Sequence, residues 1–285
     1  QIGAHTVMII GSLLAILPFI LLVIASFTDN QTALVNGYSF TPEKWSLEAY
    51  QYIANEWATI GRAYLMTILV TVIGTALSLV ITSTFAFAVS NDKLPGHKIL
   101  MFLCIFTMLF NGGLVPSYMM WTQTFHIKNT IWALIVPTFL MSPFNVVLVK
   151  NYFSNSISPS ILEAARMDGA GVFAVFTKIV MPLSVPIMAT VGLMTAIGYW
   201  TNGLYYLTEN GGSQYYTIQL VLNRINENIN FLANNSDVAA KAAQQLPSTT
   251  MRMAIAVIGI LPIMCAYPFF QKYFTAGMTA GAVKG

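Results

Sequence analysis

Six long stretches of this chain contain no Asp, Glu, Lys or Arg, and this feature limits the possible folds more than any other. The shortest stretch has 19 residues. As an α-helix it would span about 28 Å, close to the ~30 Å hydrocarbon core of a bilayer. In lipid only helices or closed barrels satisfy every backbone polar group, and the alternating pattern of barrel strands is missing from this sequence. We therefore expect an all-α integral membrane protein.

The composition excludes several other classes of protein. Only 8% of the 285 residues are charged and 56% are hydrophobic, whereas a soluble domain has about 25% charged residues. The mean hydropathy of +0.68 is also too high for a disordered chain. Two cysteines cannot build a disulfide framework, and a net charge of +3 provides no basic face for nucleic acid.

The charge-free stretches predict six transmembrane helices and therefore place both chain ends on the same side of the membrane. We expect a cytoplasmic leader before the first helix, which lacks the basic start of a secretory signal. Basic residues divide almost evenly between the two sides, so charge alone leaves the orientation open. The predicted helices cover residues 7–27, 64–90, 98–121, 129–150, 179–202 and 251–273.

Two longer segments, 29–62 and 203–250, lie on the other side from the chain ends. The first contains aromatic residues typical of a membrane-surface belt and a short interfacial helix from Pro42. The second predicts a short strand over residues 215–218, followed by an amphipathic helix. This helix has two interpretations that the sequence does not separate, a lid over the span ends or a docking element for an external partner.

The segment 151–178, on the same side as the chain ends, contains a helix–turn–helix pattern. Ser158 is a suitable N-cap and Pro159 a suitable first helical residue, so we expect a helix over residues 161–167. Asp168 and Gly169 end it, because glycine readily adopts the left-handed backbone conformation. A second helix then runs into the fifth span, with kinks around Pro182 and Pro186.

The residues from Glu163 to Ala170, Glu-Ala-Ala-Arg-Met-Asp-Gly-Ala, resemble the EAA motif. This motif marks the transmembrane subunits of ATP-binding-cassette (ABC) importers of the maltose type. The tail 271–285 is similar to that of carbohydrate-importer permeases. Residues 110–116 resemble a third-span signature of permeases for oligosaccharides, and their Gly112, Gly113 and Pro116 predict a kink. The resemblance implies a type I (MetI-like) permease fold with six transmembrane helices in one transmembrane domain, residues 1–285.

The resemblance also assigns partners and an orientation. The segment 151–178 is expected to be a cytoplasmic coupling loop on an ATPase subunit, and the tail 274–285 to reach that subunit. The implied complex holds a second permease, two ATPase subunits and an extracytoplasmic binding protein, in a bacterial cytoplasmic membrane with both termini cytoplasmic. ATP and Mg²⁺ are expected on the ATPase subunits, and the transported solute is expected to be an oligosaccharide.

Two sets of residues are implied for contact with the ATPase. In the coupling loop, Glu163 is expected to hold a basic group of the ATPase, the alanines to permit close packing, and Gly169 to form the turn, while Asp168 either caps the turn or pairs with the partner. The coupling residues are Glu163, Ala164, Ala165, Arg166, Asp168, Gly169 and Ala170. The tail residues are Gly281, Ala282 and Lys284.

We find no catalytic constellation, no nucleotide-binding loop and no metal-ligand spacing in the sequence. Uncharged polar and aromatic residues of the third and fifth spans are candidates to line a passage for sugar. An amino-acid or peptide permease, a secondary carrier or channel, and a membrane scaffold remain alternatives. The candidates for the passage are Asn111, Ser117, Thr190, Thr195, Tyr199, Trp200, Thr201 and Asn202.

Overall fold

The structure, a computed structural model, is described here for residues 2–202, 206–207, 212–234 and 248–282. Within these ranges the chain is helical, and its β-structure is one isolated bridge between Thr28 and Trp45. The all-α fold predicted from the charge-free stretches is therefore confirmed. The α-helices, numbered here in chain order, are α1 (Ile2–Ser26), α2 (Asn30–Asn36), α3 (Glu48–Asn55), α4 (Trp57–Val89), α5 (His97–Leu109), α6 (Leu114–Met119), α7 (Trp132–Phe139), α8 (Pro143–Ser156), α9 (Pro159–Met167), α10 (Val172–Val175), α11 (Met181–Leu183), α12 (Val185–Trp200), α13 (Ile218–Asn234) and α14 (Ser248–Ala282).

The residues group into two compact units. Unit 1 comprises Gln1–Leu65 and Thr217–Cys265, and unit 2 comprises Met66–Tyr216 and Ala266–Gly285. The candidate coupling loop and the candidate passage residues all belong to unit 2. The single transmembrane domain expected from the sequence stays a prediction.

Among the described residues, three helices are long and apolar enough to cross a membrane, and they correspond to the first, second and sixth predicted spans. Their apolar parts are Gly3–Ser26, Trp57–Val89 and Thr250–Pro268. Helix α4 begins at Trp57 rather than near residue 64, because an exposed Arg62 does not interrupt a helix at its polar end. Helix α14 likewise continues to Ala282, through most of the segment expected to be a tail.

The third and fifth predicted spans are sharply bent. Helices α5 and α6 meet at an angle of 117° across residues 110–113, where Gly113 has a φ of 89°. The helical segments before and after Ser184 meet at 79°, between Pro182 and Pro186. Each bend lies where the glycines and prolines of the sequence predicted a kink. If each bent pair counts as one span, the described residues contain up to five spans.

The fourth predicted span, 129–150, is not one continuous helix. Helices α7 and α8 are separated at residues 140–142, and Pro143 is the first residue of α8. Ser142 is extended (φ −93°, ψ 121°), because the ring of a proline disfavours helical backbone at the residue before it. The sequence analysis overlooked this stop signal, and the count of six spans stays a prediction.

The segments 29–62 and 203–250 combine helices with irregular stretches where the structure describes them. The helix expected from Pro42 begins only at Glu48, and residues 37–47 are irregular apart from the bridge at Trp45. The strand predicted over residues 215–218 is wrong, since Ser213–Tyr215 form a 3₁₀ turn and α13 begins at Ile218. The hydroxyl of Thr217 accepts a hydrogen bond from the backbone N–H of Leu220 (3.4 Å), so Thr217 caps α13. The amphipathic helix predicted after the strand is confirmed.

Unit 2 has a continuous apolar core that supports the coupling loop. Helix α8 packs against α5 and α12, and α12 also packs against α7. The fully buried side chains of Ala86, Val146, Val149 and Val191 belong to this core. Side chains of α9 and of the segment after it join the same core, so the loop is attached to the helices below it.

Candidate functional site

Helix α9 begins where the sequence predicted. Ser158 is extended (φ −63°, ψ 131°) at the N-cap and Pro159 is the first helical residue. The Ser158 side chain makes no capping hydrogen bond; its hydroxyl lies 2.7 Å from that of Ser160. The start of α9 is therefore fixed mainly by proline geometry and the backbone of residue 158.

The C-terminal end of α9 is a complete Schellman motif. Gly169 has a φ of 80°, and its N–H donates to the carbonyl of Arg166 (3.0 Å). The N–H of Ala170 donates to the carbonyl of Ala165 (2.9 Å), and that of Asp168 donates to the carbonyl of Ala164 (2.9 Å). These bonds satisfy carbonyls that a helix end otherwise leaves without partners. The turn predicted at Asp168 and Gly169 is confirmed, and Asp168 occupies the C-cap position.

The side chains of α9 divide into a buried face and an exposed face. Ala165 is buried, and Leu162 and Ala170 pack partly buried against the core of unit 2. Glu163 and Arg166 are exposed. The helix is thus anchored by small and apolar residues on one side and presents its charges on the other.

Three large apolar side chains beside this helix are strongly exposed. Met167 is 88% exposed, Phe173 78% and Val172 75%. They lie on either side of the Schellman turn, where the backbone is fixed by hydrogen bonds. A fixed turn that presents exposed apolar and charged side chains is typical of a surface that contacts another protein.

Aromatic packing supports the second half of the loop. The ring of Phe176 lies 5.1 Å from that of Phe87 at the end of α4, and Phe87 contacts Phe153 of α8 edge-on at 6.5 Å. Val175 and Val180 are buried beside them. The segment Phe176–Val180 forms a π-helical turn that leads into α11. A displacement of the loop would therefore act directly on the ends of α4 and α8.

Two of the three expected tail residues lie within the described part of the chain. Gly281 and Ala282 are the last residues of α14. Lys284 lies outside the described residues. Contact of these three residues with an ATPase stays a prediction.

The passage candidates on α12 are buried in unit 2. Tyr199 is 1% exposed, and its hydroxyl donates to the carbonyl of Ile135 (2.8 Å). Thr195 accepts a hydrogen bond from the side-chain amide of Asn145 (3.2 Å), and Thr190 donates to the carbonyl of Pro186 (3.0 Å). Trp200 is also buried. Tyr199 and Thr195 therefore connect α12 to α7 and α8, whereas the Thr190 bond lies within α12. The role of all four residues in a passage stays a prediction.

The other passage candidates are more accessible. Asn111 is exposed, and its side-chain oxygen accepts from the N–H of Gly113 (2.8 Å) at the bend between α5 and α6. Ser117 donates to the carbonyl of Gly113 (2.8 Å), and Thr201 donates to the carbonyl of Ile197 (2.9 Å). Asn202 is partly exposed. The structure therefore does not bring all the candidates to one surface.

The sequence analysis missed two residues that shape this region. Asn145 is a buried polar residue of α8 and bonds to α12. Gly74 lies in α4 where a Cβ atom would come within 2.5 Å of the Tyr199 ring. A lone glycine inside a long apolar helix is a signal of such close packing, but it does not identify the partner. Among the described residues, no group of His, Cys, Asp and Glu side chains could hold a metal ion.

Comparisons with known proteins agree with this geometry. The family described as "Binding-protein-dependent transport system inner membrane component" matches residues 3–280. The chain is 35% identical to the polygalacturonan/rhamnogalacturonan transport system permease protein YtcP of Bacillus subtilis, over 96% of this chain and 94% of that protein. It is 34% identical to the protein LplC of the same organism, over 95% of this chain and 90% of LplC.

The fold of this chain is also similar to that of a protein whose structure has been solved. A chain from the crystal structure of a bacterial ABC transporter involved in the import of the acidic polysaccharide alginate superposes with a TM-score of 0.81 and 28% identity. The superposition covers 96% of this chain and 95% of the other. The type I permease fold implied by the EAA motif is thereby confirmed. The chain belongs to the family of inner membrane components of binding-protein-dependent transport systems.

Proposed function

We propose that this chain is the permease subunit of an ATP-driven importer that takes up oligosaccharide delivered by an extracytoplasmic binding protein. The observation that carries the proposal is the coupling loop, a hydrogen-bonded turn at Gly169 that presents Glu163, Arg166 and Met167 to a partner. Family membership argues against the alternatives of a secondary carrier and a scaffold.

The substrate class rests on the relatives. YtcP is a polygalacturonan/rhamnogalacturonan permease by name, and the solved relative takes part in import of alginate. A further relative, 27% identical over 95% of this chain, is the arabinooligosaccharides transport system permease protein AraQ of Halalkalibacterium halodurans. These names favour carbohydrate over amino acids or peptides. Calorimetry of the cognate binding protein with oligogalacturonides and neutral oligosaccharides would identify the sugar.

The proposed complex contains a second, different permease and two ATPase subunits that bind ATP and Mg²⁺. Closure of the ATPases on ATP pulls on the coupling loop, which transmits the motion through Phe176 and Phe87 to the ends of α8 and α4. Glu163 holds a basic ATPase group, Ala164 allows close approach, and Gly169 keeps the turn.

Substrate passage requires α12 to move. In the described conformation Thr195 and Tyr199 are engaged with α8 and α7, so they become available to sugar only when these helices separate. Asn111, at the bend before α6, is accessible without that motion. We assign to it the first contact with sugar among the passage candidates.

The coupling loop also sets the proposed orientation. Because ATP is hydrolysed in the cytosol, the loop and both termini are cytoplasmic, in the inner membrane of a bacterium. The segment 203–250 then faces the binding protein. Helix α13 carries exposed polar residues such as Asn223 and Glu227, which suit a docking surface.

The test is ATP hydrolysis and sugar uptake by the whole complex in proteoliposomes. Glu163→Ala is expected to leave the permease inserted and to abolish uptake-linked hydrolysis, since a charged contact in a close joint contributes on the order of 2–5 kcal/mol. Glu48→Ala changes an equally exposed acid of α3 and is the matched control. Normal uptake by the Glu163 variant would refute the coupling assignment.

A further inference from the structure

A groove of about 550 Å³ lies in unit 2 beside the coupling loop. One wall is formed by α9 with Glu163 and Arg166, and another wall by the connection from α4 to α5 with Asp92 and Lys93. Apolar residues of α4 and α8, among them Phe87 and Phe153, form the floor. The groove therefore combines an apolar floor with a charged rim, the usual anatomy of a protein-binding pocket.

The charged side chains on the rim have almost no partners within the described part of the chain. Glu163, Arg166 and Lys93 make neither an ion pair nor a side-chain hydrogen bond there. The carboxylate of Asp92 is 96% exposed and lies 3.7 Å from the His97 ring. The rim thus offers two acidic and two basic groups to an incoming molecule.

The presence of two acidic and two basic groups on the rim indicates which kind of molecule the groove can bind. A phosphate or a lipid headgroup would meet the carboxylates of Asp92 and Glu163 as well as the cations of Lys93 and Arg166. A polypeptide that carries both signs of charge can satisfy all four groups, and an apolar side chain on it can cover the floor. The chemistry of the rim therefore favours a protein segment.

The wall formed by the connection between α4 and α5 is ordered by its own hydrogen bonds. The side-chain oxygen of Asn91 accepts from the N–H of Lys93 (3.2 Å), and the N–H of Leu94 donates to the carbonyl of Asn91 (3.0 Å). The His97 ring nitrogen lies 2.9 Å from the carbonyl of Leu94. A partner consequently meets a preformed wall, which reduces the entropy lost on binding.

We propose that the connection between α4 and α5 is the second half of the ATPase docking surface. A segment of the ATPase subunit enters the groove, places an apolar side chain on the floor, and pairs its charges with Glu163 on one wall and with Lys93 on the other. This inference rests on the proposed function, because it requires an ATPase partner at α9. Val172 belongs both to the groove and to the exposed apolar surface around Met167, so the two surfaces are continuous.

The experiment measures how much ATPase subunit remains on the affinity-purified complex, together with uptake-linked ATP hydrolysis. Lys93→Glu is expected to reduce retention about fivefold, the effect of reversing a partly exposed interfacial charge. Lys98→Glu reverses an exposed charge outside the groove on the same side of unit 2, and it should change retention less than about twofold.

A second pair of variants leaves the charges in place and fills the groove. Ser154→Trp introduces a large side chain among the groove residues, whereas Ser156→Trp introduces it on the same helix outside the groove. Retention should fall for Ser154→Trp alone, with both variants eluting as folded protein from a sizing column. Equal retention for the two would overturn the inference.

The outcomes separate this inference from the proposed function. If Glu163→Ala abolishes coupling while Lys93→Glu and Ser154→Trp retain the ATPase normally, the groove assignment fails and the importer assignment stands. If all three behave as wild type, the groove assignment and the coupling assignment both fail. An effect of Lys93→Glu only on the binding of phosphatidylglycerol by the detergent-solubilised permease would identify a lipid site and overturn the inference.

Discussion

The coupling loop and helix α12 both contain candidate functional residues, but the two regions differ in whether the backbone or the side chains are fixed by hydrogen bonds. In the coupling loop the backbone is fixed by local hydrogen bonds around Gly169, while Glu163 and Met167 stay exposed. In α12 the side chains themselves are engaged, with Tyr199 bonded to α7 and Thr195 bonded to α8.

This difference shows what each region is suited to do. A fixed backbone with exposed side chains can bind a partner without rearranging, so its contacts are available in every conformation. Polar side chains buried against neighbouring helices contribute to packing until those helices separate. Under the proposed function, the loop offers a preformed docking surface, and the α12 side chains reach sugar only after α12 separates from α7 and α8.

The strongest test of the packing role is Gly74→Ala. A Cβ at this position would lie 2.5–2.8 Å from three carbons of the Tyr199 ring. The ring cannot retreat, since its hydroxyl is bonded to Ile135 and its edge packs on Phe139 at 5.3 Å. Overpacking of this kind costs about 1–3 kcal/mol, and we expect a lower midpoint of thermal unfolding in detergent.

A matched glycine controls for the change in helix propensity. At Gly192 a Cβ would lie 3.3 Å from the flexible end of Leu79, so Gly192→Ala should be nearly neutral. Replacing Tyr199 by Leu in the Gly74→Ala background should recover part of the lost stability. If Gly74→Ala is as stable as Gly192→Ala, Tyr199 is not fixed as described.

A test of the coupling loop with an effect of about 1 kcal/mol is Gly169→Ala. Open space surrounds the position, so the cost is the left-handed backbone (φ 80°) rather than a clash. We expect little change in global stability and a roughly fivefold loss of uptake-linked ATP hydrolysis, because the turn is populated less often. Amide exchange at Ala170 would report the opening of the turn.

The neighbouring glycine is the control for this prediction. Gly171 is also in open space, but its φ of −67° and ψ of 160° are allowed for alanine. Gly171→Ala should therefore behave as wild type. Asparagine tolerates the left-handed conformation better than alanine does. The rate of uptake-linked ATP hydrolysis with Gly169→Asn should therefore lie between the rates with Gly169→Ala and Gly171→Ala. Equal activity of both alanine variants would show that the turn does not limit coupling.

The contrast between the two regions also explains how far the sequence could predict this structure. The turn at Gly169, the helix before it and the bends near Gly113 and Pro186 depend on residues close together in the chain, and they were predicted correctly. The break at Ser142 was overlooked although Pro143 signals it locally. The pairing of Gly74 with Tyr199 joins distant helices, and a single sequence carries no information on such partners.

In the candidate site, too, features that depend on neighbouring residues were predictable and features that depend on distant contacts were not. That Glu163 would lie on a helix before a glycine turn could be predicted from spacing, because the EAA pattern is local. That Asp92 and Lys93 form another wall of the groove could not, since tertiary packing brings the connection after α4 to α9. The sequence proposed polar and aromatic residues of α12 for sugar contact, which stays a prediction, and their burial depends on α7 and α8.

The loop after α1 is an intermediate case, because local hydrogen bonds fix both its backbone and the Asp29 side chain. The Asp29 carboxylate accepts from the backbone N–H and the hydroxyl of Thr32 (both 3.2 Å) and pairs with Lys44 at 3.2 Å. The backbone N–H of Thr32, more than the Lys44 ammonium, holds the pKa of Asp29 below its ordinary value of 3.8. Stabilisation from this carboxylate is therefore fully present above pH 3.8 and is lost as the pH falls through the lowered pKa.

The smallest expected effect is thus a loosening of this loop in acid. The backbone N–H of Ser46 donates to the carbonyl of Phe27 (2.8 Å). After correction for intrinsic exchange rates, this amide should stay protected from about pH 6 down to the ordinary pKa of Asp29 and should lose protection below it. Asp29→Asn should remove this pH dependence. Lys44→Met should weaken it only slightly, because the Lys44 side chain is 69% exposed. A pH profile for Asp29→Asn that matches wild type would mean that the Asp29 cap does not hold the loop.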